Sequence, residues 1–121
     1  NNDKFIIKGE VNNPTDYLFL TDYFILSSNY EGMPISLIES FSCDSIPIST
    51  PVGGVPEMIG KDGFLSKSLN EIDMAECIIN TISINKEERL QILNKNKIKF
   101  KNIFSISSCA QNYNKYYKEI L

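Results

Sequence analysis

The chain has 121 residues, and 42% of them are hydrophobic, which is enough for one domain with a buried core. Its 15 acidic and 12 basic residues give a net charge of −3, which argues against nucleic-acid binding because such binding depends on a basic surface. The sequence contains no histidine, so His-based general bases, Ser-His and Cys-His nucleophile pairs and His-ligated zinc are excluded.

The first half of the sequence predicts short strands that alternate with helices. The predicted strands are apolar runs at residues 5–7, 23–26, 46–49 and 63–65. Between them we expect a short helix that begins at Asn13-Pro14 and extends toward Leu20, a longer helix from Pro34 to Cys43, and one helical turn at residues 56–59. Strands that are apolar on both faces and separated by helices predict an α/β fold, a Rossmann-like parallel sheet with helices on both faces.

The second half of the sequence is predicted to be helical. Asn70 caps one segment, whose Ile72, Ala75, Ile79 and Ile82 fall on one face, and Asn85 caps the next. The last helix is expected at about residues 107–121. Its helically spaced apolar and aromatic residues are Tyr113, Tyr116, Tyr117 and Ile120. A basic run of Lys95, Lys97, Lys99 and Lys101 is predicted to be a solvated surface.

The cysteines and the first ten residues bear on location. Cys43, Cys77 and Cys109 are widely spaced and odd in number, and the opening NNDKFIIKGE lacks the apolar core of a secretory signal. No apolar run approaches the roughly 20 residues that span a bilayer. We therefore expect reduced thiols in a cytoplasmic protein.

Residues 29–40, NYEGMPISLIES, are the strongest functional signal in the sequence. A predicted strand ends at Leu26, and Pro34 begins the next helix, which leaves Met33 as a helix cap that cannot accept a hydrogen bond. The amides of Ile35 and Ser36 are therefore predicted to be open at the positive end of a helix. This arrangement favours an anion, typically phosphate.

Two carboxylates, Glu31 and Glu39, lie on either side of this predicted helix tip. A nucleotide-diphosphate sugar would meet both, since carboxylates accept hydrogen bonds from sugar hydroxyls with about 1.5–3 kcal/mol each. Their spacing alone leaves another interpretation open. Glu31 can be an exposed loop acid, and Glu39 a helix residue paired with a lysine.

The segments LSSNYEGMPISLIES, IPISTPVGGVPEMIG and DGFL together resemble the C-terminal domain of GT-B glycosyltransferases, in particular the retaining group often called family 4. The resemblance covers nearly the whole chain in family order. The residues that match the family pattern are Ser27, Ser28, Glu31, Gly32, Glu39, Thr50, Gly53, Gly54 and Glu57.

The resemblance implies a nucleotide-diphosphate sugar as donor substrate, with no cofactor and no metal. In an E-x7-E pattern, Glu31 would hold hydroxyls of the transferred hexose and Glu39 the ribose of the nucleotide. The implied donor-binding residues are Gly9, Glu10 and Val11 near the base, Gly32, Met33, Pro34, Ile35 and Ser36 near the sugar and diphosphate, and Gly53 and Gly54 as a turn or a close approach to phosphate. Pro34 has no amide, so one contact made by relatives with E-G-F-G is expected to be lost here.

Three further expectations follow from the resemblance. Asp44 stands where the family usually has glycine, which puts the local turn in doubt. The Arg and Lys that grip the diphosphate, and the N-terminal acceptor domain, match no part of this chain. We therefore expect a partial donor domain that is inactive alone. The complete enzyme would transfer a hexose to a glycan or lipid-linked acceptor in surface polysaccharide synthesis, with peripheral contact at the inner membrane face.

Two alternatives remain. A GT-B sugar epimerase shares the architecture, but it would be expected to use histidine, which this chain lacks. A non-catalytic nucleotide-sugar-binding or interaction module of the same fold would carry the two glutamates without turnover.

Overall fold

The computed structural model describes residues 4–121 and contains one three-stranded parallel sheet. Strand β1 is Tyr23–Leu26, β2 is Ile46–Ser49 and β3 is Phe64–Leu65, in the spatial order β1-β2-β3. The helices are α1 Pro14–Leu18, α2 Ile35–Ser42, α3 Val55–Ile59, α4 Glu71–Ile82, α5 Lys86–Lys99 and α6 Ile106–Ile120, with a π-helical turn at Phe100–Phe104 between α5 and α6. The predicted α/β fold with a parallel sheet and covering helices is confirmed.

The core forms around β2, the central strand. All four residues of β2 are buried, and it is hydrogen-bonded to a neighbour on each side. A buried hydrophobic cluster includes Leu37 and Phe41 of α2 and Val55 and Ile59 of α3, and Leu26 of β1 and Leu65 of β3 pack against it. A strand covered on both faces needs no alternation of polar and apolar residues, which is why IPIS forms a continuous run.

The strand predicted at residues 5–7 is wrong. Phe5, Ile6 and Ile7 are exposed and belong to no strand, and β1 is paired only with β2 in the part of the chain described. An apolar run becomes a strand only when a neighbouring strand accepts and donates its backbone hydrogen bonds. The Asn13-Pro14 helix start is confirmed, although α1 ends at Leu18 instead of Leu20.

Helix α4 has its predicted cap but presents a different face to the sheet. Asn70 accepts a hydrogen bond from the Ile72 amide at 2.7 Å. The predicted apolar face, including Ile79 and Ile82, is exposed, whereas Met74 and Thr81 are buried. Positions 74 and 81 also share a helical face. Thr81 can be buried there because its hydroxyl donates to the Cys77 carbonyl at 2.7 Å.

The turn after α2 keeps a left-handed residue although the sequence has no glycine there. Asp44 has φ of 59° and follows Cys43, the C-cap of α2. Aspartate tolerates this region better than most residues, and its carboxylate pairs with Lys97 at 2.8 Å. The turn that the substitution put in doubt is therefore present.

The predicted solvated basic run is wrong at one position. Lys99 has only 15% of its side chain exposed, whereas the Lys95 and Lys97 side chains are more than half exposed.

None of the helices within residues 4–121 has the length and apolar character needed to cross a bilayer.

Candidate functional site

The loop that follows β1, residues 27–34, is named here the EG loop, and it positions the first candidate carboxylate. The Ser28 hydroxyl donates a hydrogen bond to Oε1 of Glu31 at 2.6 Å. Glu31 is partly exposed. One carboxylate oxygen is thus oriented by the protein, and the group retains capacity to accept further hydrogen bonds.

The loop that follows β2, residues 50–54, is named the GG loop and packs directly on the EG loop. The Thr50 hydroxyl donates to the Ser28 carbonyl at 2.5 Å, and the Gly54 amide donates to the Gly32 carbonyl at 3.0 Å. Both loops leave the carboxyl ends of adjacent parallel strands, the edge at which open α/β sheets bind ligands.

This loop packing explains why two glycines are required. A Cβ atom at Gly53 would lie 1.7 Å from the Glu31 carbonyl oxygen, and one at Gly54 would lie 2.8 Å from the Gly32 carbonyl oxygen. Gly53 also has φ of 51°, as the turn interpretation predicts, whereas Gly54 does not lie in the left-handed region. The two glycines thus allow the backbone of the GG loop to pack closely against the backbone of the EG loop.

The tip of α2 is open, but its cap differs from the prediction. Pro34, not Met33, is the N-cap, with ψ of 121° and no side-chain capping bond. Within residues 4–121 the amides of Ile35 and Ser36 donate to no protein acceptor, while the Leu37 amide donates to the Pro34 carbonyl. Met33 and Ile35 are 65% and 72% exposed, so solvent or a ligand can reach this tip.

Glu39 lies in the second turn of α2 and is partly exposed. Its carboxylate forms no ion pair with any residue of the described range 4–121, so the lysine-paired interpretation is not supported there. The Ser42 hydroxyl donates to the Glu39 backbone carbonyl at 2.8 Å and not to the carboxylate, which accepts no hydrogen bond from the residues described.

The segment predicted to meet the donor base stands apart from these two loops in its contacts. Gly9 and Glu10 are exposed and Val11 is partly exposed. Gly9 has φ of 66°, and no atom lies within 4 Å of the place a Cβ would occupy. No hydrogen bond among residues 4–121 joins this segment to the EG loop.

Comparison with known proteins gives the family. A family model described as "Glycosyl transferases group 1" matches residues 1–83, about two thirds of the chain. The chain belongs to this glycosyltransferase family. In the structural comparison, sucrose-phosphate synthase from Thermosynechococcus elongatus matches with a TM-score of 0.73 at 17% identity, over 86% of this chain and 26% of that one. The match confirms the GT-B fold inferred from the motifs.

Two curated relatives are bacterial proteins that this chain matches over part of its length. The capsular polysaccharide biosynthesis glycosyltransferase CapH of Staphylococcus aureus is 48% identical over 44 residues, which is 36% of this chain and 12% of that protein. The N-acetyl-alpha-D-glucosaminyl L-malate synthase of Bacillus anthracis is 30% identical over 90 residues, which is 73% of this chain and 23% of that protein. The chain thus spans less than a quarter of the length of these two relatives.

Lys99 is the residue near the site that sequence reasoning missed. Its ammonium group donates to the carbonyls of Met58 and Ile59 and pairs with Asp62 at 2.8 Å. The sequence gives no signal that separates Lys99 from Lys97, since both lie in the same basic run near the end of α5.

Proposed function

We propose that this chain is the donor-binding portion of a retaining GT-B glycosyltransferase. The complete enzyme transfers a hexose from a nucleotide-diphosphate sugar to a glycan or lipid-linked acceptor in surface polysaccharide synthesis. Family membership supports a transferase. The relative named for capsular polysaccharide biosynthesis supports the pathway class.

One observation carries the proposal: the serine-oriented Glu31 carboxylate and the uncapped tip of α2 belong to the same short segment, residues 27–36. The carboxylate offers acceptors to sugar hydroxyls, and the open amides of Ile35 and Ser36 suit a diphosphate. A leaving diphosphate gains stabilisation at such a tip as its charge develops, which is usually the largest catalytic contribution.

The remaining roles complete the proposed donor site. Glu39, unpaired within residues 4–121 and partly exposed on α2, is assigned to the ribose. Gly9, Glu10 and Val11 are assigned to the base, and the GG loop supports the EG loop through the Gly54–Gly32 hydrogen bond. No metal is required in this scheme, because the positive charge comes from the helix tip and from basic residues elsewhere in the enzyme.

The proposal includes a division of the enzyme into parts. The acceptor domain and the basic pair that grips the diphosphate lie outside this chain, so the chain alone does not transfer sugar. Calorimetric titration of the 121-residue chain with uridine, guanosine and adenosine diphosphates tests this point. We expect weak or no binding, and tight, selective binding of one nucleotide contradicts the division.

Replacement of the two glutamates in the complete transferase tests the roles. Glu31→Gln removes the charge of one acceptor, and we expect kcat/KM to fall about 10–100-fold, the loss of one charge-assisted hydrogen bond. Glu39→Gln should raise the donor KM more than it lowers kcat. Glu87→Gln, an exposed acid in the first turn of α5, is the matched control and should leave both parameters unchanged.

The same measurements distinguish a glycosyltransferase from the non-catalytic nucleotide-sugar-binding module. A folded complete protein that binds a nucleotide sugar but shows no glycosyl transfer to any acceptor, with or without the substitutions, supports a binding module. A Glu31→Gln enzyme that keeps full kcat/KM contradicts the role given to Glu31.

A further inference from the structure

The side chain of Lys99 ends at the C-terminal carbonyls of α3. Its Nζ donates to the Ile59 carbonyl at 2.6 Å and to the Met58 carbonyl at 3.2 Å, and it pairs with Asp62 at 2.8 Å. The ammonium also lies 5.4 Å from the centroid of the Phe41 ring. The lysine therefore satisfies carbonyls at the end of a short helix, and both charges of the ion pair are largely shielded from water.

The other end of α3 is the GG loop. Gly54 is the N-cap of α3, and its carbonyl accepts from the Met58 amide at 3.1 Å. The Gly54 amide donates in turn to the Gly32 carbonyl of the EG loop. Helix α3 has five residues, about 7.5 Å at 1.5 Å per residue, so it forms a short rigid link between Lys99 and the EG loop.

The backbone around Lys99 is itself fixed. Lys99 is the last residue of α5, and the π-helical turn that follows closes with a hydrogen bond from the Ser105 amide to the Phe100 carbonyl at 2.8 Å. Phe104 of this turn stacks on Phe41 with ring centroids 5.8 Å apart. The lysine therefore extends from an anchored position.

We infer that Lys99 is a positioning residue: through α3 it holds the GG loop against the EG loop and so fixes the place of Glu31. The consequence for donor binding rests on the proposed function, but the contacts that connect Lys99 through α3 to the EG loop do not. A lysine that only stabilised the core would slow amide hydrogen exchange equally in all parts of the fold. A positioning lysine slows exchange at the contact between the two loops more than in the sheet.

Amide hydrogen exchange of the full 121-residue chain, followed by NMR, distinguishes these roles. The diagnostic amides are Gly54, which bonds to Gly32, and Gly60, which bonds to the Pro56 carbonyl at 2.9 Å. The Ile48 amide in buried β2 reports global opening. Lys97→Met is the matched control because Lys97 lies on the same helix and its ion pair with Asp44 is half exposed.

For Lys99→Met we expect exchange at Gly54 and Gly60 to rise by about tenfold or more beyond any change at Ile48, as expected for loss of charge-assisted hydrogen bonds. Lys97→Met should leave all three amides unchanged. Equal changes at Gly54 and Ile48, or none at Gly54, overturn the inference.

A second variant covers the case in which Lys99→Met does not fold. Asp62→Asn keeps the lysine and its two carbonyl acceptors but removes the ion pair, and a smaller rise confined to Gly54 and Gly60 is expected. A rise shared with Ile48, or no rise, overturns the inference. Because exchange is read without substrate, a failed activity test of Glu31 and a failed test of Lys99 are distinguishable.

Discussion

Substitution of Gly53 by alanine tests the packing of the GG loop on the EG loop. The new Cβ would lie 1.7 Å from the Glu31 carbonyl oxygen and 2.8 Å from the Glu31 carbonyl carbon. Both are backbone atoms, so no side chain can rotate away, and one of the loops must move. The residue also has φ of 51°, which alanine adopts only with strain.

The cost has two contributions. Placing a residue with a Cβ in the left-handed region costs about 1–2 kcal/mol. Separating the loops enough to admit the methyl group breaks the Gly54–Gly32 hydrogen bond, which contributes about 0.5–1.5 kcal/mol. We expect Gly53→Ala to lower the free energy of unfolding by about 1.5–3.5 kcal/mol, and to lower donor affinity in the complete enzyme by moving Glu31.

Two other glycines separate these contributions in urea unfolding followed by circular dichroism. Gly9 has φ of 66°, but a Cβ added there would have no atom within 4 Å, so Gly9→Ala reports the backbone strain alone. Gly32 also has open space and is not left-handed, so Gly32→Ala reports neither contribution. The reasoning is refuted if Gly53→Ala costs no more than Gly9→Ala.

Three further predictions concern groups that are buried or partly buried. Asn96 is 1% exposed, and within residues 4–121 neither its amide nitrogen nor its oxygen has a partner, so Asn96→Leu should raise the free energy of unfolding by about 1–2 kcal/mol; a lower urea midpoint contradicts this. Thr50→Val should lower the free energy of unfolding by about 1 kcal/mol, because the Ser28 carbonyl loses the Thr50 hydroxyl, its donor at 2.5 Å. An unchanged urea midpoint contradicts a stabilising role for this hydrogen bond. Burial raises the pKa of the Cys77 thiol, so its alkylation at pH 8 should be slower than that of exposed Cys109. The difference between the two alkylation rates should narrow as the pH rises past the Cys77 pKa. Mass spectrometry of the labelled peptides measures both rates, and equal rates at pH 8 contradict this prediction.

Local chemistry made several elements predictable. Asn85 is the cap of α5 as expected, since its side chain accepts from the Glu88 amide at 2.9 Å. Such caps act over three residues and can be recognised without knowledge of the fold. The run at Ile46–Ser49 was equally clear, because its apolar residues are flanked by turn residues and its length suits a buried strand.

Other features depend on partners that lie far away in the sequence. Lys99 and Asn96 belong to a polar segment of α5, and only the packing of that helix buries them. The contacts of Lys99 with Met58 and Ile59 span 40 positions or more, and no local pattern signals them. The apolar run at residues 5–7 is the converse case, since its composition suits a strand but no described strand pairs with it.

The two motif loops illustrate why a motif can be correct and yet incompletely understood from its residues. The E-G and G-G motifs suggest contacts with a ligand. In the structure, however, the G-G motif makes its closest contacts with the E-G motif. Gly53 and Gly54 admit the carbonyls of Glu31 and Gly32, and the Gly54 amide is occupied by one of them. The Gly54 amide therefore cannot also be a free donor for phosphate while this bond is intact. The amides at the tip of α2 are the ones left open. In the donor site proposed above, the anion-binding role is therefore assigned to Ile35 and Ser36, and the GG loop is assigned an indirect role through the position of Glu31.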